Sequence, residues 1–215
     1  MNNTENTPAG AASDFSPQLF FSQWWFSLLM MGSIIVLSAF GNDVTQALAL
    51  NADKINGGEW WRLISAHFVH LSPNHALLNV TGYLILGFGF RNEVNPKEEM
   101  SALFFAMTGV GLGIYFFSPE LSWYVGLSGA TYGLLVSNVI ISMKKTPFLS
   151  GFFLFFVVTK IIYEQFFAPT DRFTEELIGG SVAIDSHLYG AISGIFPGLF
   201  WFLRKTRNMN QPKPS

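Results

Sequence analysis

The 215-residue chain has no cysteine, which excludes disulfides, a thiol nucleophile and cysteine-ligated zinc. Charge is scarce as well: 12% of the residues are charged, against about 25% in an ordinary soluble domain. The formal net charge of −2 leaves no basic footprint for nucleic acid. The first 19 residues hold neither Lys nor Arg, so they lack the positive n-region of a signal peptide. Rich in Asn, Thr, Ala and Pro, residues 1–19 read as a retained, disordered tail. What the chain does contain is apolar: half of it is hydrophobic, and Phe alone occurs 23 times. That composition points to a membrane protein.

Apolar stretches run at about residues 20–40, 75–90, 99–118, 126–142, 148–168 and 184–203. Each is near the roughly 20 residues that a helix needs to cross a bilayer core, the second and fourth being somewhat short. Linkers rich in polar residues and breakers separate them, from Asn51 to Gly58, Asn92 to Glu99, Lys144 to Pro147 and Pro169 to Glu176. The expectation is an all-α, polytopic bundle of six transmembrane helices forming one domain over residues 20–204, with a basic tail at 205–215. Arg91, Lys97, Lys144, Lys145, Arg204, Lys205, Arg207 and Lys213 all follow even-numbered spans, whereas Lys54, Arg62 and Arg172 lie on the other side. Positive residues favour the cytoplasmic side, which places both termini there. Spans two, four and six then begin at the outer face, each opening on a polar motif.

Those motifs are His70, His75 and Asn79; Gly126-Leu127-Ser128-Gly129; and His187 with Gly190 and Gly194. Ionisable and polar groups are costly inside a membrane, so such groups gathered at one depth suggest function. A serine hydroxyl is a weak nucleophile until a base takes its proton, and imidazole is the usual base near neutral pH. Gly126 and Gly129 allow the backbone beside Ser128 to turn tightly and approach a substrate. Ser128 also opens a helix, where free N–H groups favour a developing oxyanion. His75 and Asn79 are spaced i, i+4 and share a helix face. Nucleophile, base and oxyanion donors together make an acyl-transfer site.

Plainer readings exist for each piece. Glycines at Gly190, Gly194 and Gly198 let transmembrane helices pack, and a lone interfacial His is commonly structural. The Asn79-Val80-Thr81 sequon lies within a span and carries no weight. His67, His70 and His75 lack HExxH spacing and a suitable carboxylate, so no metal or other cofactor is expected.

The run Trp61-Arg62, His70-x4-His75-x3-Asn79, Gly-Leu-Ser128-Gly, Tyr132 and His187-x2-Gly190-x3-Gly194 resembles the rhomboid intramembrane serine proteases, in the right order from about residue 20 onward. The resemblance implies a Ser128–His187 dyad and an oxyanion hole made by His75, Asn79 and the Ser128 N–H. It also implies that Tyr132 stacks on His187, that Trp61 and Arg62 belong to a structural outer loop, and that His70 is structural. Glu59-Trp60-Trp61-Arg62-Leu63, Glu164-Gln165 and the stretch from Leu177 to Gly190 look like the rhombosortase branch. A Gly-Gly-x-x-Glu pattern at the end of span two, typical of larger rhomboids, is missing. Ser186 stands before the histidine where Ala is common. That branch implies a bacterial inner-membrane enzyme with its site toward the periplasmic face. Its partners would be the lipid bilayer and secreted or surface proteins with a C-terminal Gly-Gly motif, a transmembrane helix and a basic end. A monomer would suffice.

Two further features sit near the motifs. Lys160 and Glu164, four apart in span five, read either as a self-neutralising structural pair or, with Gln165, as a recognition element for the Gly-Gly segment. Asp185 lies two residues before His187, and i, i+2 residues on a helix do not face each other, so a dyad rather than a triad is expected.

Overall fold

A computed structural model describes residues 16–167 and 172–209. Six long helices fall on the six apolar stretches: α1 (Pro17–Ala39), α5 (Pro73–Phe90), α6 (Pro96–Phe117), α7 (Ser128–Ser142), α8 (Pro147–Phe166) and α10 (Ile184–Met209). Of these, α1, α6 and α8 are long and apolar enough to cross a membrane, and α7 is a shorter apolar helix.

Local chemistry sets where they start. Proline opens α1, α5, α6 and α8, where its missing N–H costs nothing. Ser72 accepts from the His75 N–H, so α5 begins sharply and holds His75 in its first turn. At α6, Asn95 and Glu98 form a reciprocal capping box. Ser16 caps α1, which therefore begins inside the stretch expected as tail, and α10 likewise continues to Met209 within the expected basic tail. The remainder of both tails, and the Pro169 end of the last linker, lie outside the described residues.

The linkers are more structured than composition indicated. The first outer loop carries α2 (Asn42–Leu48), α3 (Ala52–Asn56) and α4 (Arg62–Ser65), then a 3₁₀ turn at Ala66–Phe68. Its strand β1 (Leu50–Asn51) pairs antiparallel with β2 (Trp123–Tyr124), Leu50 opposite Tyr124 and Asn51 opposite Trp123. Arg62 is buried as a clamp: it bonds Ala49 O at 2.7 Å, Gln46 O at 3.2 Å and Glu59 at 2.6 Å, and its guanidinium lies over Trp61. The stretch after α8, expected as a plain linker, contains the helix α9 (Arg172–Ile178).

The main core joins α1, α5, α6 and α7 through Met30, Ile34, Tyr83, Phe90, Leu103, Ala106, Ala130 and Leu134. Backbone meets backbone between α7 and α10. A Cβ on Gly190 would lie 1.8 Å from Gly129 O, and one on Gly194 would lie 2.1 Å from Gly133 O. Only hydrogen fits there, so small residues spaced by four on both helices bring the axes together. This contact sets Ser128 and His187 side by side. By contrast α8 buries only Ser150, Val157 and Glu164, and exposes Phe148, Phe152, Phe155 and Phe156.

At the far end of the bundle Arg91 bonds Glu99 at 2.9 Å, Ser27 at 2.7 Å and Gln23 O at 2.8 Å, and Tyr83 donates to the same carboxylate. Lys205 of α10 reaches Glu98 at 2.8 Å and also Glu93 O. Buried charge is tolerated there because each carboxylate is paired.

Candidate active site

Ser128 is the first residue of α7, and its hydroxyl Oγ lies 3.3 Å from Nε2 of His187, in the first turn of α10. A base within reach of a hydroxyl can take its proton. The Tyr132 ring lies parallel to the His187 imidazole, with centroids 4.2 Å apart and planes at 9°. Stacking fixes the ring plane and leaves both nitrogens free in that plane.

The second nitrogen has a partner that sequence reasoning assigned elsewhere. His187 Nδ1 lies 2.9 Å from Oε2 of Glu164 on α8, while the other carboxylate oxygen of Glu164 lies 3.0 Å from Lys160 Nζ. The expected pairing of Lys160 with Glu164 is present, but the pair does not neutralise itself in isolation. Where a Ser–His dyad is expected, a third group also lies against the imidazole. Asp185 is not that group: it takes a hydrogen bond from Ser118 Oγ at 2.6 Å and one from Gln165 Nε2 at 3.4 Å. Gln165 therefore ties α8 to α10 and is not among the residues that wall the cavity. Glu164 does line it, with both oxygens engaged.

On the opposite wall, Leu71 donates its N–H to His75 Nδ1 at 3.3 Å, and Asn79 Nδ2 donates to His75 O at 3.1 Å. The first contact places the ring proton of His75 on Nε2; the second leaves one amide hydrogen of Asn79 free. Both donor nitrogens lie over Gly126, where a Cβ would come within 3.0 Å of His75 Nε2 and 3.9 Å of Asn79 Nδ2. Gly126 has φ 117°, a left-handed conformation that glycine adopts without strain. Its N–H bonds Ala66 O at 3.0 Å, and its carbonyl accepts from Tyr124 OH at 2.8 Å. Gly129 sits under Ser186 O and so belongs to the helix contact.

Beneath this loop His67 is wholly buried between two carbonyls, Gly126 O at 3.1 Å and Met107 O at 3.0 Å. Burial outweighs those two acceptors and pushes its pKa down to about 4, so at neutral pH the ring donates to only one of them. His70 is buried edge-on to His75, with ring centroids 4.9 Å apart, and neither of its nitrogens is hydrogen-bonded. Burial first, then the neighbouring His75 and His67, push its pKa down to about 3. These rings pack and support; the three do not converge on a point that could hold a metal.

Beside these groups lies a cavity of about 960 Å³, walled by His75, Asn79, Ser128, Tyr132, Glu164 and His187, and also by Thr174 and Ile178 of α9 and the segment Ser181–Ile184. That volume accommodates an extended stretch of several residues. Hydroxyl, imidazole, carboxylate and a facing set of N–H donors are the parts of acyl transfer by a serine nucleophile.

Comparison with known proteins bears on the family. The rhomboid domain family matches residues 57–204. The rhomboid protease GlpG of Haemophilus influenzae is 28% identical over 172 residues, covering 75% of this chain and 78% of that protein. YdcA of Bacillus subtilis, named provisionally as a rhomboid protease, is 21% identical over 181 residues, covering 80% of this chain and 86% of its own.

Proposed function

Because the chain belongs to the rhomboid family and is a multi-pass intramembrane serine protease of that type, we propose that Ser128 is its nucleophile and His187 its general base and acid. The observation that carries this reading is the 3.3 Å approach of Ser128 Oγ to His187 Nε2 at the floor of the cavity. Six membrane crossings, both termini cytoplasmic and the cavity toward the periplasmic face of a bacterial inner membrane fit the six long helices and the distribution of basic residues.

The reaction proceeds in two halves. Ser128 Oγ attacks the scissile carbonyl carbon as its proton passes to His187 Nε2. The carbonyl oxygen becomes an oxyanion held by His75 Nε2–H, Asn79 Nδ2–H and the Ser128 N–H. The C–N bond then breaks, His187 protonates the departing amine, and an acyl-enzyme ester remains. Water, deprotonated by His187, releases the new carboxylate; an amine taking the place of water would transfer the substrate to another anchor. Every group comes from one chain, so a monomer suffices.

The substrate class we favour is a secreted or surface protein with a C-terminal transmembrane tail preceded by Gly-Gly, read from the likeness of residues 59–63 and 177–190 to the rhombosortase branch. A Gly-Gly segment has no side chains to clear the cavity wall at Ser181–Ile184 and exposes its peptide bonds. Mass spectrometry of a Gly-Gly-tailed substrate processed by wild type and by Ser128→Ala tests both points. Wild type is expected to remove the tail at a defined bond and Ser128→Ala to leave it intact. Unchanged processing by Ser128→Ala overturns the nucleophile assignment. Cleavage of other membrane substrates but not this one leaves a rhomboid protease of different specificity.

A further inference from the structure

Helix α8 is apolar along almost its whole length and buries little of itself, yet it turns one carboxylate inward. Glu164 is 6% exposed, and its two oxygens are divided between two cations or proton donors: Oε2 faces His187 Nδ1 and Oε1 faces Lys160 Nζ. A purely structural ion pair needs only Lys160, four residues away on the same helix face. The contact to His187 links α8 to α10 across 23 positions of sequence and lies on the nitrogen opposite Ser128.

That arrangement has a chemical meaning. For Nε2 to accept the Ser128 proton, the neutral imidazole must carry its own hydrogen on Nδ1. A carboxylate oxygen 2.9 Å from Nδ1 selects that tautomer. It also stabilises the imidazolium that forms during attack, an effect that grows where water is excluded. Tyr132 fixes the plane of the ring but cannot choose its tautomer, because a stacked ring makes no contact in the plane of the nitrogens. Asp185 is occupied by Ser118 and Gln165. Among the described residues Glu164 meets the requirement.

We propose that Glu164 is a positioning residue that completes a Ser128–His187–Glu164 triad, with Lys160 holding its second oxygen. The proposal rests on the assignment of Ser128 and His187 above. The Nδ1 proton stays on His187 throughout; only the Ser128 proton moves, to Nε2 and then to the leaving amine. Because Glu164 lies on α8, the base is correctly set only when α8 is docked against α10.

The test uses full-length protein in detergent micelles or liposomes, with a Gly-Gly-tailed substrate and a fluorophosphonate that acylates the serine. Glu164→Gln is expected to lower kcat by about 10⁴-fold, the order seen when the third member of such triads is removed. KM should stay near the wild-type value, and the rate of serine acylation should fall in parallel. A proton spectrum of Ser128→Ala should show a low-field Nδ1 resonance from His187, which disappears in Ser128→Ala combined with Glu164→Gln. Wild-type kcat in Glu164→Gln, or a raised KM with kcat intact, overturns the proposal; the second result would make Glu164 a recognition residue. If Glu164→Gln does not fold, the resonance in Ser128→Ala decides, and its absence is equally fatal. That signal needs no proteolysis, so it reports on Glu164 even if Ser128 proves not to be the nucleophile.

Discussion

The backbone N–H of Leu71 points at Nδ1 of His75, 3.3 Å away, and so leaves the proton of that ring on Nε2, facing Gly126 and the cavity. A histidine held in this way is a neutral donor rather than a base. It differs in kind from His187, whose outward nitrogen must accept. With the triad proposed above, the site contains two imidazoles with opposite proton arrangements, each set by what touches its Nδ1.

On the reading proposed above, His75 and Asn79 stabilise charge in the transition state. His75→Ala and Asn79→Ala are each expected to lower kcat by about 10²–10³-fold, the usual cost of one oxyanion donor, with KM little changed. Steady-state kinetics on a Gly-Gly-tailed substrate checks it. A large rise in KM at constant kcat would instead mean that these groups bind the ground state.

Asp185 should behave differently, because its carboxylate is bonded to Ser118 and Gln165 and not to His187. Asp185→Asn is expected to keep kcat close to wild type while lowering thermal stability. A thousandfold loss in well-folded protein, about 4 kcal/mol of transition-state stabilisation, would show that Asp185 acts on the base.

The contact between α7 and α10 admits no side chain. Gly190→Ala would drive a methyl group to 1.8 Å from Gly129 O, so the helices must part. Overpacking of this kind costs about 1–3 kcal/mol or more, and here it would also separate Ser128 from His187. Activity should fall further than the melting temperature suggests. Gly32→Ala, where nothing lies within 4 Å of the added methyl, is the control and should leave both unchanged.

His67 and His70 make the fold acid-sensitive. Both are held neutral by burial, with pKa values down from the usual 6.5 to about 4 and about 3. Between those values and 6.5 the unfolded chain binds more protons than the folded one, so stability falls as pH drops from about 6.5 to 4. The slope is at most about 1.4 kcal/mol per pH unit for each proton. Melting temperatures across that range should decline, and His67→Gln should flatten the decline. A flat profile in the wild type would mean that His67 is not held neutral.

Much of this was legible in the chain. Each long helix covers one of the apolar stretches, because apolar runs bounded by proline and polar linkers leave few other solutions in a membrane. His75, Asn79, Ser128, Tyr132 and His187 could be grouped because their motifs recur at the starts of alternate helices. Glu164 could not be placed by spacing. The i, i+4 rule paired it with Lys160, and nothing local reveals which neighbouring helix a side chain on α8 will meet. The available signal was depth: a carboxylate near the same end of its helix as His187, costly there unless something more than one lysine receives it. In the sequence Arg62 stands out only as part of an outer loop, because its carbonyl partners Gln46 and Ala49 are set by loop conformation, which has no period to read.

Ser128 opens α7, and His187 lies in the first turn of α10, the last helix among the described residues. Chains emerge from the ribosome amino end first, so α7 exists for some time before α10 is made. During that interval Ser128 has no partner for its proton, and the glycine face of α7 has nothing against it. On the assignment proposed above, order of synthesis acts as a safety catch: the site is incomplete until α10, which brings His187 59 positions after Ser128, has been made.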